Sequence, residues 1–278
     1  MTHSRPIVMS GPMVQAILAG KKTCTRRVLT PQPPSETITR STPYSLCPAV
    51  ARRISVYSLN DYDALPKEPG VFSVYGSVSV VRDACGQTTW TSPFGVPGDH
   101  LWVKEAFLPD PSADHEAWDQ TRAGYLGWDD HRRTSELPAA LRTRDHVLYA
   151  ASWTGSALQW KSPRFMPRWA SRLTLEVTGV SVERLHDITD VDAINEGVTT
   201  LPDAWLAKHW PDYVQERDRV DAHNAQLTTQ GQFLGLTRPP LGPSPREQFR
   251  AYWGDIHGAD AWASNPWVWR VEFKQVPA

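Results

Sequence analysis

Apolar positions along this chain recur mostly with period two, and the stretches that do so are short. Arg5-Pro6-Ile7-Val8-Met9 reads as a first strand. A helix then starts at Ser10 or Gly11, with Pro12 in its first turn and Met13, Val14, Ile17 and Leu18 on one face. Gly20 is its natural left-handed stop. A strand follows over Thr23–Leu29, with Thr23, Thr25 and Arg27 on one face and Cys24, Arg26 and Val28 on the other. Val71–Val81 alternates as one strand, Thr88–Thr91 as its hairpin partner, and Leu101–Phe107, Val147–Trp153 and Leu173–Val182 as further strands. Trp267–Lys274 is the cleanest, with Trp267, Trp269, Val271 and Phe273 on one side.

Period 3.6 returns twice behind capping boxes. Thr189-Asp190-Val191-Asp192 opens a short helix over Asp190–Glu196 that Gly197 ends. Ser244-Pro245-Arg246-Glu247 opens another, with Phe249, Tyr252, Trp253 and Ile256 as its apolar face. The two prolines of Trp160–Arg172 forbid a regular helix there. Segments near 30–70, 109–145 and 199–243 are polar and broken by proline or glycine, and read as insertions, the last with a helix around Asp212–Leu227. Short strands without regular helical crossovers predict an α+β fold: a small β-barrel or strongly curved sheet with helices at its ends, in a single domain.

Composition narrows the function classes. With 278 residues and a formal net charge of -1, a surface that grips nucleic acid everywhere is excluded, so any such contact is a local basic patch. The 3 cysteines, Cys24, Cys47 and Cys85, have no C-x-x-C spacing, which argues against a disulfide framework or a cysteine zinc site and for a reducing cytoplasm. His115-Glu116 begins a metalloprotease motif, but Asp119 stands where its second histidine belongs. No metal and no cofactor is therefore expected. No apolar run spans a membrane, and the N-terminus has no signal-peptide core. Most of the 13 tryptophans must be structural, so one tryptophan alone marks no site.

Three stretches carry candidate chemistry. In Gly20-Lys21-Lys22-Thr23-Cys24-Thr25-Arg26-Arg27, a threonine hydroxyl becomes a nucleophile if a lysine takes its proton, and neighbouring cations favour the neutral lysine that this needs. The same residues also read as a basic turn whose threonines favour a strand. Glu196 sits in the last turn of its helix, where the macrodipole disfavours a carboxylate by roughly 0.3–1 kcal/mol; it reads as a partner of Lys22 or as a solvated glutamate. In Arg164–Arg172, cations interleave with Trp160 and Trp169 and suit a phosphate and a stacked base, or pair with carboxylates around a core tryptophan.

Together these stretches resemble a known family. Leu18–Arg27 is similar to the signature of the ASCH domain, a member of the PUA-like superfamily of small β-barrels. Gly95–Glu105 resembles its G-D-x-L-x-V strand, Asp192–Gly197 its short acidic helix, and Trp267–Lys274 its closing strand. With Met166–Leu173 after the insertion, the chain looks like the ASCH proteins of tailed phages and prophages. About half of it is insertion that small members lack.

The resemblance implies binding of RNA or modified bases. It also implies, from a small bacterial member, amide hydrolysis on N(4)-acetylcytidine. By motif the catalytic lysine, threonine and glutamate fall on Lys22, Thr25 and Glu196, as base, nucleophile and proton donor. Arg27 and backbone N–H groups near Gly20 would steady the oxyanion. Thr23, Gly20, Arg168, Trp169 and Trp102 complete the expected substrate contacts, with a tryptophan stacking on the base, while Arg26 and Lys21 are expected to face elsewhere. The implied partner is a nucleoside or RNA in the cytoplasm of a bacterial host, with no membrane. The alternatives are a module that binds RNA or a modified nucleotide without turnover, or a metal-independent ribonuclease.

Overall fold

The computed structural model describes residues 2–30, 32, 54–57, 72–75, 80–82, 89–109, 139, 142–155, 158–231 and 235–276. Most of the insertions expected near 30–70 and 109–145, with Cys47, Cys85 and His115-Glu116, lie outside them. Strand β1 (Ser4–Val8) leads into helix α1 (Gly11–Leu18), whose Met13, Val14, Ala16 and Ile17 are buried. The chain turns at Gly20, which has φ +66°, into β2 (Cys24–Val28).

The main sheet is completed by β7 (His100–Lys104), β10 (Thr174–Arg184) and β11 (Trp267–Val276), in the order β1-β7-β10-β11-β2. β1 runs parallel to β7; every other pair is antiparallel. A bulge at Val177/Gly179 bends β10, and a Cβ on Gly179 would come within 2.5 Å of Glu272 Oε2. The fold is thus α+β. The sheet is open: β1 and β2 lie at its two edges, and no ladder joins them.

Two smaller sheets form no ladder with the main one. β3 (Ile54–Tyr57), β4 (Phe72–Tyr75), β5 (Val80–Arg82) and β6 (Thr89–Thr91) pair in that order. The single strand expected over Val71–Val81 is therefore two antiparallel strands, with Ser73 opposite Arg82, because continuous alternation hides a reversal that keeps the same parity. Thr89–Thr91 does pair with β5. β8 (Phe107–Pro109) pairs with β9 (Val147–Tyr149). The strand expected over Leu101–Phe107 is interrupted between β7 and β8, where the buried carboxylate of Glu105 takes two 2.9 Å hydrogen bonds from Arg172.

Both capping boxes form. Thr189 caps α2 (Asp190–Asn195) and Ser244 caps α5 (Pro245–His257). The third insertion folds as α3 (Asp203–His209) and α4 (Pro211–Thr229), the latter burying only Val214 and Val220. Arg246 ties α5 to α2, its backbone N–H donating to Asp190 at 3.0 Å and its guanidinium to the His186 carbonyl at 2.8 Å. Main-sheet residues such as Leu175, Val271 and Trp269 pack with α1 and with Phe249 and Trp253 of α5 in one core. Among the described residues, no helix is long and apolar enough to cross a membrane.

Candidate functional site

The site grows from the turn between α1 and β2. The Lys21 and Lys22 N–H groups both donate to the Ala16 carbonyl, at 2.8 and 3.1 Å, which fixes Lys22 beneath the end of α2. Thr23 then locks the two elements together: its N–H donates to the Asn195 carbonyl at 2.9 Å, and its own carbonyl accepts from Phe273 at 2.9 Å. Helix α2 ends at Gly197, with φ +83°, where a Cβ would lie 2.8 Å from that of Ala16 and 3.1 Å from that of Lys22. Only glycine combines that left-handed turn with that approach, and the turn delivers Glu196 onto Lys22.

Lys22 Nζ donates to the Glu196 carbonyl at 2.8 Å and to its Oε2 at 2.7 Å. The side chains are 2% and 5% exposed. Arg26 Nη1 reaches the other carboxylate oxygen at 3.3 Å. Two cations thus offset the unfavourable C-terminal dipole at Glu196. Arg26 is the main departure from expectation: instead of facing elsewhere, its side chain is 0% exposed and also pairs with Glu183 at 2.6 Å and Asp192 at 3.5 Å. Period two assigned it correctly to the face opposite Thr25, but that face is covered by α2. Lys21 is exposed, as expected.

This acid–base cluster perturbs its neighbours. Burial would lower the Arg26 pKa, but Glu196 and Glu183 together raise it. Burial raises that of Glu183 despite Arg26. Burial also opposes ionisation of Asp192, but the Thr189 hydroxyl and N–H, Arg26 and Arg270 prevail and hold it below the usual carboxylate range. The buried Cys24 thiol is pushed up to about 12, first by burial and then by the charge of Glu196.

Thr25 is buried beside this pair and lines with it a cavity of about 260 Å³. Val8, Met9 and Ser10 form its wall on the β1 side, Lys22, Thr25, Arg26, Arg27 and Glu196 its floor, and Phe249, Tyr252, Trp253 and His257 of α5 its far wall. The cavity therefore sits in the gap between the two edge strands of the open sheet. Arg27 spans that gap, its Nη2 donating to the Val8 carbonyl and touching Met9 Sδ at 3.5 Å. The Tyr252 hydroxyl meets Ser10 Oγ at 2.7 Å. The His257 ring lies 4.2 Å from that of Trp253, and burial and then the charge of Arg27 lower its pKa.

Other expected contacts fall elsewhere. Gly20 does not line the cavity, and its N–H and those of Lys21 and Lys22 are consumed by Ile17 and Ala16, so the backbone oxyanion donors expected there are absent. Thr23 contributes backbone, not its exposed side chain. Trp102, half-buried, carries Lys104 and Arg168 over its ring at 5.5 and 5.7 Å, outside the cavity. Trp169 packs with Phe107, Val147 and Met166 in a second small core. The aromatic wall that is present, from α5, reads in the sequence as an ordinary apolar helix face. Its signal is a cluster of Tyr, Trp and His on a face that needs only bulk.

No group of three or more His, Cys, Asp or Glu among the described residues is arranged to hold a metal ion. Comparison of the chain with models of known families, with curated proteins and with solved structures matches none of them.

Proposed function

We propose that this protein hydrolyses an amide on a modified cytidine nucleoside of the N(4)-acetylcytidine type, with Thr25, Lys22 and Glu196 as its reactive groups. The observation that carries this reading is the buried Lys22–Glu196 pair opening, beside Thr25, into an aromatic-walled cavity. The cavity volume, about 260 Å³, lies just below the usual range for drug-sized ligands, about 300–1,000 Å³, and suits a ligand as small as one base or nucleoside. The ASCH-type, PUA-like reading of the fold belongs to the same proposal, with the sheet opened between β1 and β2 where that family closes a barrel.

The chemistry follows from the pair. Lys22 passes a proton along its 2.7 Å hydrogen bond to Glu196 and, now neutral, takes the proton of Thr25 as Oγ1 attacks the acyl carbon. Glu196 gives its proton to the departing N4, and the C–N bond breaks to leave cytidine and an acyl-threonine. Water then repeats the sequence, freeing the carboxylic acid and restoring Thr25. Arg27, in the cavity floor, is positioned to hold a substrate oxygen.

The test is incubation with N(4)-acetylcytidine, followed by chromatography and mass spectrometry for cytidine. Glu196→Gln and Lys22→Met should each lower the rate by roughly 10²–10⁴-fold, the usual worth of a positioned acid or base. Absence of cytidine from the wild-type reaction sinks the proposal.

One observation favours a second reading, a module that binds RNA without turnover: Lys104 and Arg168 stacked on Trp102 form a cation–aromatic patch suited to a strand. RNA affinity that falls steeply with salt and is lost in Arg168→Ala, with no product formed, identifies that case.

A further inference from the structure

The cavity holds more positive charge than its own carboxylate answers. Lys22, Arg26 and Arg27 line it, and Glu196 is its single acid. Both Glu196 oxygens are taken, one by Lys22 and one by Arg26, and Arg26 has Glu183 and Asp192 besides. Arg27 is left over. Among the described residues it has no ion pair; its Nη2 is spent on the Val8 carbonyl and Met9 sulfur, and its buried Nε has no hydrogen-bond acceptor.

A purely structural clamp across the sheet gap explains the Nη2 contacts. It explains neither the empty Nε nor a half-buried cation whose nearest acid in the cavity, Glu196, is already paired with Lys22 and Arg26; burial lowers the Arg27 pKa more than the charge of Glu196 raises it. A second donor in the same cavity is in the same state: Trp253 is 3% exposed, and its Nε1 is buried without an acceptor. The two residues share His257 as a neighbour, whose ring lies tilted 4.2 Å from that of Trp253 and which feels the charge of Arg27. The Tyr252 hydroxyl, which also lines the cavity, is already engaged with Ser10.

We infer that this cavity binds an anionic ligand, whose phosphate or carboxylate oxygens accept from Arg27 Nε and Trp253 Nε1. A neutral acetylated nucleoside leaves Arg27 without an ion pair of its own; a nucleoside monophosphate, or an acyl group ending in a carboxylate, supplies one. The nucleoside part of this ligand rests on the hydrolase reading above, whereas the anion seat rests only on the empty donors and the surplus charge.

Isothermal titration calorimetry on the full chain at low salt separates the two sources of charge. One arm compares cytidine with cytidine 5′-monophosphate on the wild type. The other compares N(4)-acetylcytidine with N(4)-succinylcytidine on Thr25→Val, which keeps the shape and charges of the cavity while removing the hydroxyl. In at least one arm the anion should bind about tenfold or more tightly than its neutral counterpart, the usual worth of a charged hydrogen bond. That preference should vanish in Arg27→Gln and shrink in Trp253→Phe, which keeps the ring; circular dichroism checks that both variants fold, and the salt dependence of the wild-type preference gives a readout free of either.

A ratio near one in both arms, including the case where nothing binds, overturns the inference, as does a preference that survives in folded Arg27→Gln. Anion preference without turnover of N(4)-acetylcytidine sinks the hydrolase reading alone. Turnover without anion preference sinks this inference alone.

Discussion

Glu196→Gln removes one negative charge from beneath two buried cations while keeping the shape of the side chain. Arg26 tolerates the loss, because Glu183 at 2.6 Å and Asp192 at 3.5 Å remain. Lys22 does not. Its side chain is 2% exposed and keeps only the Glu196 backbone carbonyl, at 2.8 Å, and a neutral amide oxygen. Removing one partner of a buried pair costs about 3–5 kcal/mol, and the retained acceptors place this case near ~3 kcal/mol. At about 2–4 °C per kcal/mol for a chain of this size, the melting temperature should fall by roughly 6–12 °C.

The double variant Lys22→Met/Glu196→Gln separates charge from shape. It removes the stranded ammonium together with its partner, and should recover roughly 1–3 kcal/mol relative to Glu196→Gln, since well-packed apolar replacements of buried pairs are often neutral or better. Urea unfolding followed by circular dichroism measures wild type, both single variants, Lys22→Met and Glu196→Gln, and the double variant. A Glu196→Gln stability within about 1 kcal/mol of wild type, or a double variant whose loss is the plain sum of the single losses, refutes the claim that Lys22 depends on Glu196 for its charge balance.

Two further outcomes follow from the titrating groups. Cys24, with its thiol pushed up to about 12, should stay unalkylated by iodoacetamide at pH 8 in the native protein and react only after denaturation, as peptide mass spectrometry reads. Asp255 accepts from Trp205, Lys208 and His209 and so clips α3 to α5; burial works against its ionisation, but these bonds lower its pKa from 3.8 to about 2. A depressed carboxyl stabilises above its unfolded value and stops doing so as pH falls through its folded one. Melting temperature should therefore drop between about pH 4 and pH 2, and the drop should be shallower in Asp255→Asn.

What the sequence disclosed was mostly local. The boxes at Thr189 and Ser244 are legible because a cap joins residues three apart, and the left-handed stops at Gly20 and Gly197 because glycine alone accepts them cheaply. The contact of Lys22 with Glu196 spans 174 positions, and no periodicity reports it; the sequence offers it only as one of two readings of a carboxylate placed against its helix dipole, and the family resemblance points to the same pair. Arg26 was misjudged for a related reason. Alternation says which residues share a sheet face, but not whether a helix such as α2 covers that face with acids. Tyr252 and Trp253 read as an ordinary apolar helix face because an apolar stripe looks the same whether it meets a neighbouring strand or an empty space. Trp102 and Trp169 are the opposite case, conspicuous aromatics that do not line this cavity and whose partners are Arg168 and a satellite core.

The gap between β1 and β2 has a consequence for how this protein can change over generations. The floor of the cavity is held by backbone bonds, from Lys22 to Ala16 and from Thr23 to Asn195, whereas its far wall hangs on α5. That helix is attached to α2 through Arg246 and to the N-cap of α1 through Tyr252. Reactive charge and ligand shape are thus written in separate parts of the chain. Exchanges at Ile256 or His257, which line the cavity outside the core that holds Phe249 and Trp253, remodel what enters while the Lys22–Glu196 pair stays where the turn put it, so new ligands are reachable one residue at a time without dismantling the chemistry.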